Sequence, residues 1–303
     1  MIVVVCPGQG SQTPGFLSPW LELEGARERL QAYADAAQVD LLPAGTEWDA
    51  DRIRDTSVAQ PLIVAASLLS WTALTAEGAR PAGVAGHSVG ELAALAAAGV
   101  ISDEAAMRVV GARGRAMAEA AALAETGMSA VVGGVEEQVL QAIAERGLEA
   151  ANYNGGGQIV AAGARDALAA LAESAPRGAR VIPLQVAGAF HTRYMAPAKD
   201  ALQDAVDTID PADPQLLLWS NSDGEPVDAG SRALELVVHQ VSSPVRWDLC
   251  MASFADRGVT GIIELAPAGA LVGLAKRGLK GVPSVAVKTP EDLEAARELL
   301  AAA

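Results

Sequence analysis

The sequence feature that most limits how this chain can fold is a pentapeptide, Gly86-His87-Ser88-Val89-Gly90, between an apolar stretch and a helix-forming run. It has the G-x-S-x-G pattern of a sharp strand–turn–helix that presents a serine as a nucleophile. Gly86 and Gly90 suit such a turn because glycine has no Cβ to clash. In the alternative interpretation, Ser88 only caps the helix. The strand-like and helical flanks favour a catalytic serine.

Length and composition set the size and class of the fold. The chain has 303 residues, of which 51% are hydrophobic and 4% aromatic, as in a packed α/β protein. This length favours two domains or one large domain with an insertion. Residues 1–5 indicate a core strand and lack the flanks of a signal peptide. Apolar segments such as 61–69 are too short or too interrupted to span a bilayer, so no membrane contact is expected.

The cysteines and the net charge indicate the cellular compartment and the kinds of partner to expect. The only cysteines, Cys6 and Cys250, are far apart and show neither metal-ligand spacing nor a disulfide framework. We expect reduced core thiols in a cytoplasmic protein, with no metal and no organic cofactor. The formal net charge of −15 argues against a nucleic-acid partner, which would need clustered cations. We expect a monomer.

Apolar strand signals alternate with helix signals along most of the chain, which predicts a mostly parallel sheet covered by helices. The strands are predicted at 1–6, 82–85, 215–220 and 261–265, and the helices at 58–74, 91–98, 103–122, 199–209 and 233–241. The helix at 58–74 has a start signal in Asp55-Thr56-Ser57, and that at 103–122 begins after Ser102.

A different order of elements begins near residue 126. Strands at 128–133, 148–153, 158–162 and 180–185 enclose helices at 135–146 and 164–174. This βαββαβ order is typical of a ferredoxin-like unit. We therefore predict an α/β protein with a large α/β-hydrolase-like domain, residues 1–125 and 188–303, and an inserted ferredoxin-like small domain, residues 126–187.

A serine hydroxyl is a weak nucleophile at neutral pH and needs an adjacent base, for which histidine is the usual choice. The chain has three histidines. His87 is next to Ser88 on the turn and should point elsewhere, while His239 falls within a predicted helix. His191 follows the inserted unit in a loop of small residues, where clefts form. His191 is therefore the candidate base, with a buried structural histidine as the alternative.

The same chemistry needs hydrogen-bond donors for the oxyanion that forms on the attacked carbonyl. The main-chain N–H of Val89, at the start of the helix, is one candidate donor. The other is Gln9, because Gly8-Gln9-Gly10 follows the first strand and its glycines allow close approach to a substrate. A phosphate-binding loop is the alternative, but no Lys-Ser/Thr pair follows.

Six motifs resemble, in their order along the chain, those of the malonyl-CoA:acyl carrier protein transacylases and the acyltransferase domains of polyketide synthases. They are Pro7-Gly8-Gln9-Gly10-Ser11-Gln12, Gly86-His87-Ser88-Val89-Gly90-Glu91, Arg113-Gly114-Arg115-Ala116-Met117, Asn152-Tyr153-Asn154, Ala189-Phe190-His191, and Gln240 before Pro244-Val245-Arg246-Trp247. The resemblance covers nearly the whole chain, and its length is similar to that of the discrete bacterial enzyme.

The resemblance implies a two-step transfer of a malonyl group from malonyl-CoA to the phosphopantetheine thiol of acyl carrier protein, for fatty acid or polyketide synthesis. Ser88 would carry the malonyl group, and His191 would move the protons. The N–H groups of Gln9 and Val89 would hold the oxyanion.

The resemblance also assigns four residues around the acyl group. Arg113 would bind the free malonyl carboxylate, since a guanidinium matches a carboxylate bidentately; otherwise it would be a surface cation of a helix. Gln240 would orient His191 in place of the aspartate of a Ser-His-Asp triad. Asn154 would line the substrate channel, and Phe190 would fill the space of an α-methyl branch, unless it is simply a core residue.

An acidic carrier protein would need local cations for docking despite the net charge of −15. Arg193, Lys276 and Arg277 are candidates, with solvated surface roles as the alternative. Two other functions stay open at this point. A serine esterase or thioesterase would release the acyl group to water but would not need an arginine for a carboxylate. A non-catalytic carrier-docking protein would not need Ser88 and His191.

Overall fold

Nine strands and twelve α-helices form the regular structure of residues 1–78 and 80–302, which the computed structural model describes. The strands are β1 Ile2–Cys6, β2 Gly83–Gly86, β3 Thr126–Gly133, β4 Glu149–Gly155, β5 Gln158–Ala164, β6 Ala179–Pro183, β7 Leu217–Trp219, β8 Gly261–Glu264 and β9 Ser284–Ala286. The helices are α1 Ala26–Ala37, α2 Leu41–Thr46, α3 Thr56–Thr75, α4 Gly90–Ala97, α5 Asp103–Ala122, α6 Glu136–Glu145, α7 Arg165–Glu173, α8 Lys199–Val206, α9 Gly230–Gln240, α10 Trp247–Asp256, α11 Ala270–Gly278 and α12 Leu293–Ala301.

The large sheet is parallel throughout and has the strand order β7-β2-β1-β8-β9. The central strand β1 is buried along its whole length, and its side chains alternate between two cores. Val4 lies in the core that contains α3, α4 and α5, whereas Val3 and Val5 pack with residues of α10 and α11. The predicted α/β class and mostly parallel sheet are confirmed.

Helix α3 is the core helix of the larger hydrophobic cluster. Asp55 caps it by accepting a hydrogen bond from the Ser57 N–H at 2.9 Å, as the start signal predicts. With 20 residues it is long and apolar enough to cross a membrane, so the apolar segment extends well beyond the predicted residues 61–69. However, 72% of its most apolar window is buried inside the protein. Its apolar side chains are therefore already used in packing against α5 and its neighbours.

The smaller sheet is antiparallel, with the strand order β4-β5-β3-β6. Together with α6 and α7 it gives the predicted βαββαβ order. One face packs on its own helices through residues such as Val131 and Ile159, and the other joins the larger core through Met128 and Val160. All four strands lie inside the predicted segment 126–187, whose limits as a domain stay a prediction. Because one face packs on its own helices and the other on the larger core, this sheet can form one wall of a cleft.

Candidate active site

Ser88 lies on a tight turn between β2 and α4, with a φ of 54° in the left-handed region. Such a conformation is costly for a residue with a side chain and is common at functional sites. A Cβ on Gly86 would collide with the backbone of Gly90, and one on Gly90 would collide with the Cys6 carbonyl oxygen. Both glycines are therefore required for the serine to sit against the end of β1.

The turn is held by Asn221, a residue outside all of the sequence motifs. Its Oδ1 accepts a hydrogen bond from the Ser88 N–H at 2.7 Å, and its Nδ2 donates to the Gly86 carbonyl at 2.7 Å. Asn221 follows β7, which pairs with β2, so the carboxyl ends of these strands meet. That position, immediately after a neighbouring strand, is the signal that would have identified it.

His191 also has a positive φ, 62°, and its Nε2 lies 2.7 Å from the Ser88 Oγ. Its Nδ1 lies 2.9 Å from the main-chain carbonyl oxygen of Gln240. A carbonyl can only accept, so we assign the ring proton to Nδ1, which leaves Nε2 to accept from the serine hydroxyl. Burial and the charge of Arg113 lower the pKa of His191 to about 3, which keeps the ring neutral.

Gln240 contacts His191 through its main-chain carbonyl, while its side chain makes other contacts. It is the last residue of α9, where carbonyl groups lack helical partners and can accept from elsewhere. Its side-chain Oε1 accepts from Arg113 at 2.8 Å, and its Nε2 donates to the Ser88 carbonyl at 3.0 Å and to the Glu91 carboxylate. Gln240 thus joins the serine, the histidine and the arginine.

Arg113 projects from α5 into the protein and is only 1% exposed, which rules out the surface-cation interpretation. Its two terminal nitrogens donate to amide oxygens, to Gln60 Oε1 at 2.6 Å and to Gln240 Oε1 at 2.8 Å. Its Nε has no hydrogen-bond partner, and no carboxylate among the described residues lies within ion-pair distance. Burial lowers the pKa of Arg113 to about 10, so the group stays a cation at neutral pH.

These groups open into one cleft of about 160 Å³ between the large sheet and the small one. Among the residues that line it are Ser88, His191, Arg113, Gln9, Val89, Asn154 and Phe190. Within the described part of the chain, neither the Gln9 N–H nor the Val89 N–H donates to a protein acceptor. The structure therefore brings seven of the eight candidate residues to the same cavity, with Gln240 directly behind it.

Side-chain amides fix two parts of the cleft wall. The Gln9 Nε2 donates to the Arg54 carbonyl at 3.3 Å, which ties the glycine loop to the turn before α3. Asn154 Oδ1 lies 2.9 Å from the His87 Nε2. Phe190 is buried at the wall immediately before His191. These contacts fix the positions of Gln9, Asn154 and Phe190 in the wall, and their roles toward a substrate stay predictions.

The remaining sequence candidates lie outside the cleft. His239 is exposed on α9 and lies 2.9 Å from the Ser243 hydroxyl. Arg193 forms an ion pair with Glu149 on β4, while Lys276 and Arg277 are exposed at the end of α11. Both cysteines are buried and free. In residues 1–78 and 80–302 no group of three or more metal-ligating side chains was found.

Comparison with known proteins gives the same family along almost the whole chain. The acyl transferase domain family matches residues 3–291. The "Malonyl CoA-acyl carrier protein transacylase" of Mycobacterium tuberculosis is 50% identical over 297 residues, which cover 97% of this chain and 98% of that protein. The chain belongs to the malonyl CoA-acyl carrier protein transacylases. The resemblance seen in the six sequence motifs is confirmed.

Other transacylases and solved structures agree with this membership. The Bacillus subtilis transacylase is 34% identical over 99% of this chain and 97% of its own. The crystal structure of MCAT from Mycobacterium tuberculosis has a TM-score of 0.95 at 50% identity, covering 98% of this chain and 99% of that one. PlMCAT, solved with AntF as a type II PKS acyl-carrier protein in complex with its malonyl-transacylase, has a TM-score of 0.90 at 30% identity, covering 98% and 99%.

Proposed function

We propose that this transacylase moves a malonyl group from malonyl-CoA to the phosphopantetheine thiol of an acyl carrier protein through a malonyl-Ser88 ester. It would supply extender units for fatty acid or polyketide synthesis as a cytoplasmic monomer. The observation that carries the proposal is a serine–histidine pair that shares a cleft with a buried arginine lacking a carboxylate partner. The names of its relatives, and the carrier complex of one of them, support the two substrates.

In the first half-reaction, Ser88 Oγ attacks the thioester carbonyl while His191 Nε2 takes its proton. The free N–H groups of Gln9 and Val89 donate to the oxyanion of the tetrahedral intermediate. When the intermediate collapses, the C–S bond breaks and His191 returns the proton to the departing CoA thiolate. In the second half-reaction the carrier thiol gives its proton to His191, attacks the Ser88 ester, and the serine regains its proton.

The charge arrangement links malonyl binding to this proton transfer. The cation of Arg113 is one of the causes that lower the pKa of His191 to about 3, so an imidazolium is disfavoured in the empty cleft. A carboxylate bound to Arg113 would offset that positive charge and raise the pKa of His191 toward neutrality. The bound substrate would therefore make His191 a stronger base. The group beside Arg113 is the neutral amide of Gln240, so no permanent anion competes with the substrate carboxylate for the guanidinium.

The product distinguishes this function from that of a serine esterase or thioesterase. Incubation with malonyl-CoA and a phosphopantetheinylated carrier protein should give malonyl-carrier, with little free malonate, and both products can be measured by mass spectrometry. A water-releasing esterase would give malonate at the same rate with or without the carrier. Absence of any turnover would favour a non-catalytic carrier-docking protein. The hydrogen-bonded Ser88–His191 pair is evidence against that alternative.

Phe190 should limit the size of the acyl group at its α-carbon. Phe190→Ser is expected to raise kcat/KM for methylmalonyl-CoA relative to malonyl-CoA by about 10- to 200-fold, the range for one methyl group in an apolar pocket. Phe16→Ser, at a half-buried phenylalanine that is not part of the cleft, is the matched control. An unchanged ratio in Phe190→Ser would show that Phe190 only fills the core.

Carrier docking is assigned to Lys276 and Arg277. Both are exposed, and Arg277 packs on Gly156 in the turn that follows Asn154 at the cleft. Arg277 therefore lies next to the segment that carries Asn154 to the wall of the cleft. Arg193 is a weaker candidate because its guanidinium already pairs with Glu149 and lies on the Tyr194 ring.

A further inference from the structure

We propose that Glu91 is a positioning residue that acts on Arg113 through the side chain of Gln240 and thereby sets the preference for acyl groups with a free carboxylate. The inference rests on the proposed function, because it concerns how the malonyl carboxylate is selected. Its basis is one side-chain amide held between a buried carboxylate and a buried guanidinium.

Glu91 lies in the first turn of α4, three residues after Ser88, and is only 5% exposed. Its Oε1 accepts from the Asn221 main-chain N–H at 2.5 Å, and its Oε2 accepts from the Gln240 Nε2. An ionised carboxylate can only accept hydrogen bonds. Glu91 therefore fixes the amide of Gln240 with its nitrogen toward α4 and its oxygen toward Arg113.

The orientation of this amide matters because a flipped amide would direct an NH₂ group at a guanidinium, so that two donors would face each other. Gln60 presents its oxygen to the other terminal nitrogen of Arg113, and its own NH₂ lies 3.5 Å from the Met117 sulfur. Each of the two terminal nitrogens of the guanidinium is thus held by one amide oxygen. The remaining N–H groups, including the unpartnered Nε, are left for a ligand carboxylate.

Glu91 also balances the buried cation without occupying its donors. It lies outside ion-pair distance of Arg113, yet the two groups influence each other, since each favours the charged form of the other. An anion placed directly on the guanidinium would compete with the substrate carboxylate. One placed behind a neutral amide stabilises the cation and leaves its free edge available.

The charge of Glu91 also changes near neutral pH. Burial raises its pKa to about 7, although the charge of Arg113 and the hydrogen bonds to the carboxylate oppose the shift. Cys250 on α10 also faces it, and burial raises the pKa of that thiol well above its usual value. As the pH falls below about 7, Glu91 gains a proton and loses an acceptor position.

The test compares kcat and KM for acylation of Ser88 by malonyl-CoA and by acetyl-CoA, since acetyl has no carboxylate and serves as the internal reference. Glu91→Gln should lower the malonyl-to-acetyl ratio of kcat/KM about tenfold, mainly through a higher KM for malonyl-CoA. Glu104→Gln removes an exposed carboxylate from α5, the helix that carries Arg113, and should leave the ratio unchanged. Circular dichroism would establish that both variants are folded.

The pH series on the unmodified protein is a second measurement that needs no variant. Its malonyl-to-acetyl ratio should fall as the pH decreases through about 7, whereas in Glu91→Gln the ratio should not depend on pH. An equal loss of both activities in Glu91→Gln, or a ratio that is flat with pH in the unmodified protein, overturns the inference. If the unmodified protein accepts no malonyl group at all, the proposed function itself fails.

Discussion

Ser88→Ala is expected to abolish the covalent malonyl-enzyme and to lower malonyl transfer at least about a thousandfold. The Ser88 Oγ lies 2.7 Å from the His191 Nε2, so the substitution removes the nucleophile and leaves its base and the rest of the site in place. Alanine keeps the Cβ and the main-chain bonds of the turn to Asn221. Radiolabelled malonyl-CoA followed by peptide mapping measures the label at residue 88.

Two further variants make that result interpretable. Ser174→Ala changes an exposed serine on the small sheet's side of the chain and should label like the unmodified protein. His191→Ala keeps the nucleophile but removes its base, so slow labelling at Ser88 is expected. Label that persists at full stoichiometry in Ser88→Ala would assign the nucleophile to another residue and refute the mechanism.

The parts of the fold that were predicted from sequence are those specified by neighbouring residues. The strand–turn–helix around Ser88 depends on two glycines within five residues. Helix α5 begins and ends where it was predicted, and its start is fixed by the Ser102 hydroxyl, which accepts from the Ala105 N–H and caps the first turn. In contrast, β9 has only three residues at the sheet edge, too few for an alternating pattern to be visible.

The parts of the site that were missed depend on contacts between distant segments. Asn221 meets the turn and Glu91 because β7 pairs with β2, an order of strands that no local pattern specifies. Gln240 meets His191 through a main-chain carbonyl, and the atoms of that contact could not be predicted because a carbonyl carries no side-chain signature. A residue type indicates which chemistry is available, whereas the sheet order decides which atoms meet.

Arg113→Ala should lower kcat/KM for malonyl-CoA about a hundredfold or more and leave acetyl-CoA unaffected or favoured. Without the guanidinium, the malonyl carboxylate would be buried in the cleft with no counter-charge, whereas the acetyl group has no charge to lose. Arg113→Lys keeps the charge but not the planar fork, so it should recover only part of the loss. Acylation rates with both CoA esters, measured side by side, test the selectivity.

The control for Arg113 is Arg108→Ala on the same helix, an exposed arginine whose only ion pair is with Glu104 within the described chain. It removes the same charge at the surface, where such a pair contributes about 0.3–0.5 kcal/mol, and should leave both activities intact. Thermal unfolding separates lost packing from lost recognition, because Arg113 also holds Gln60 and Gln240 in place. An equal fall in kcat/KM for both CoA esters would mean that Arg113 supports the structure of the cleft but does not bind the carboxylate. A fall confined to malonyl-CoA would place the selection of the acyl group at this one buried cation.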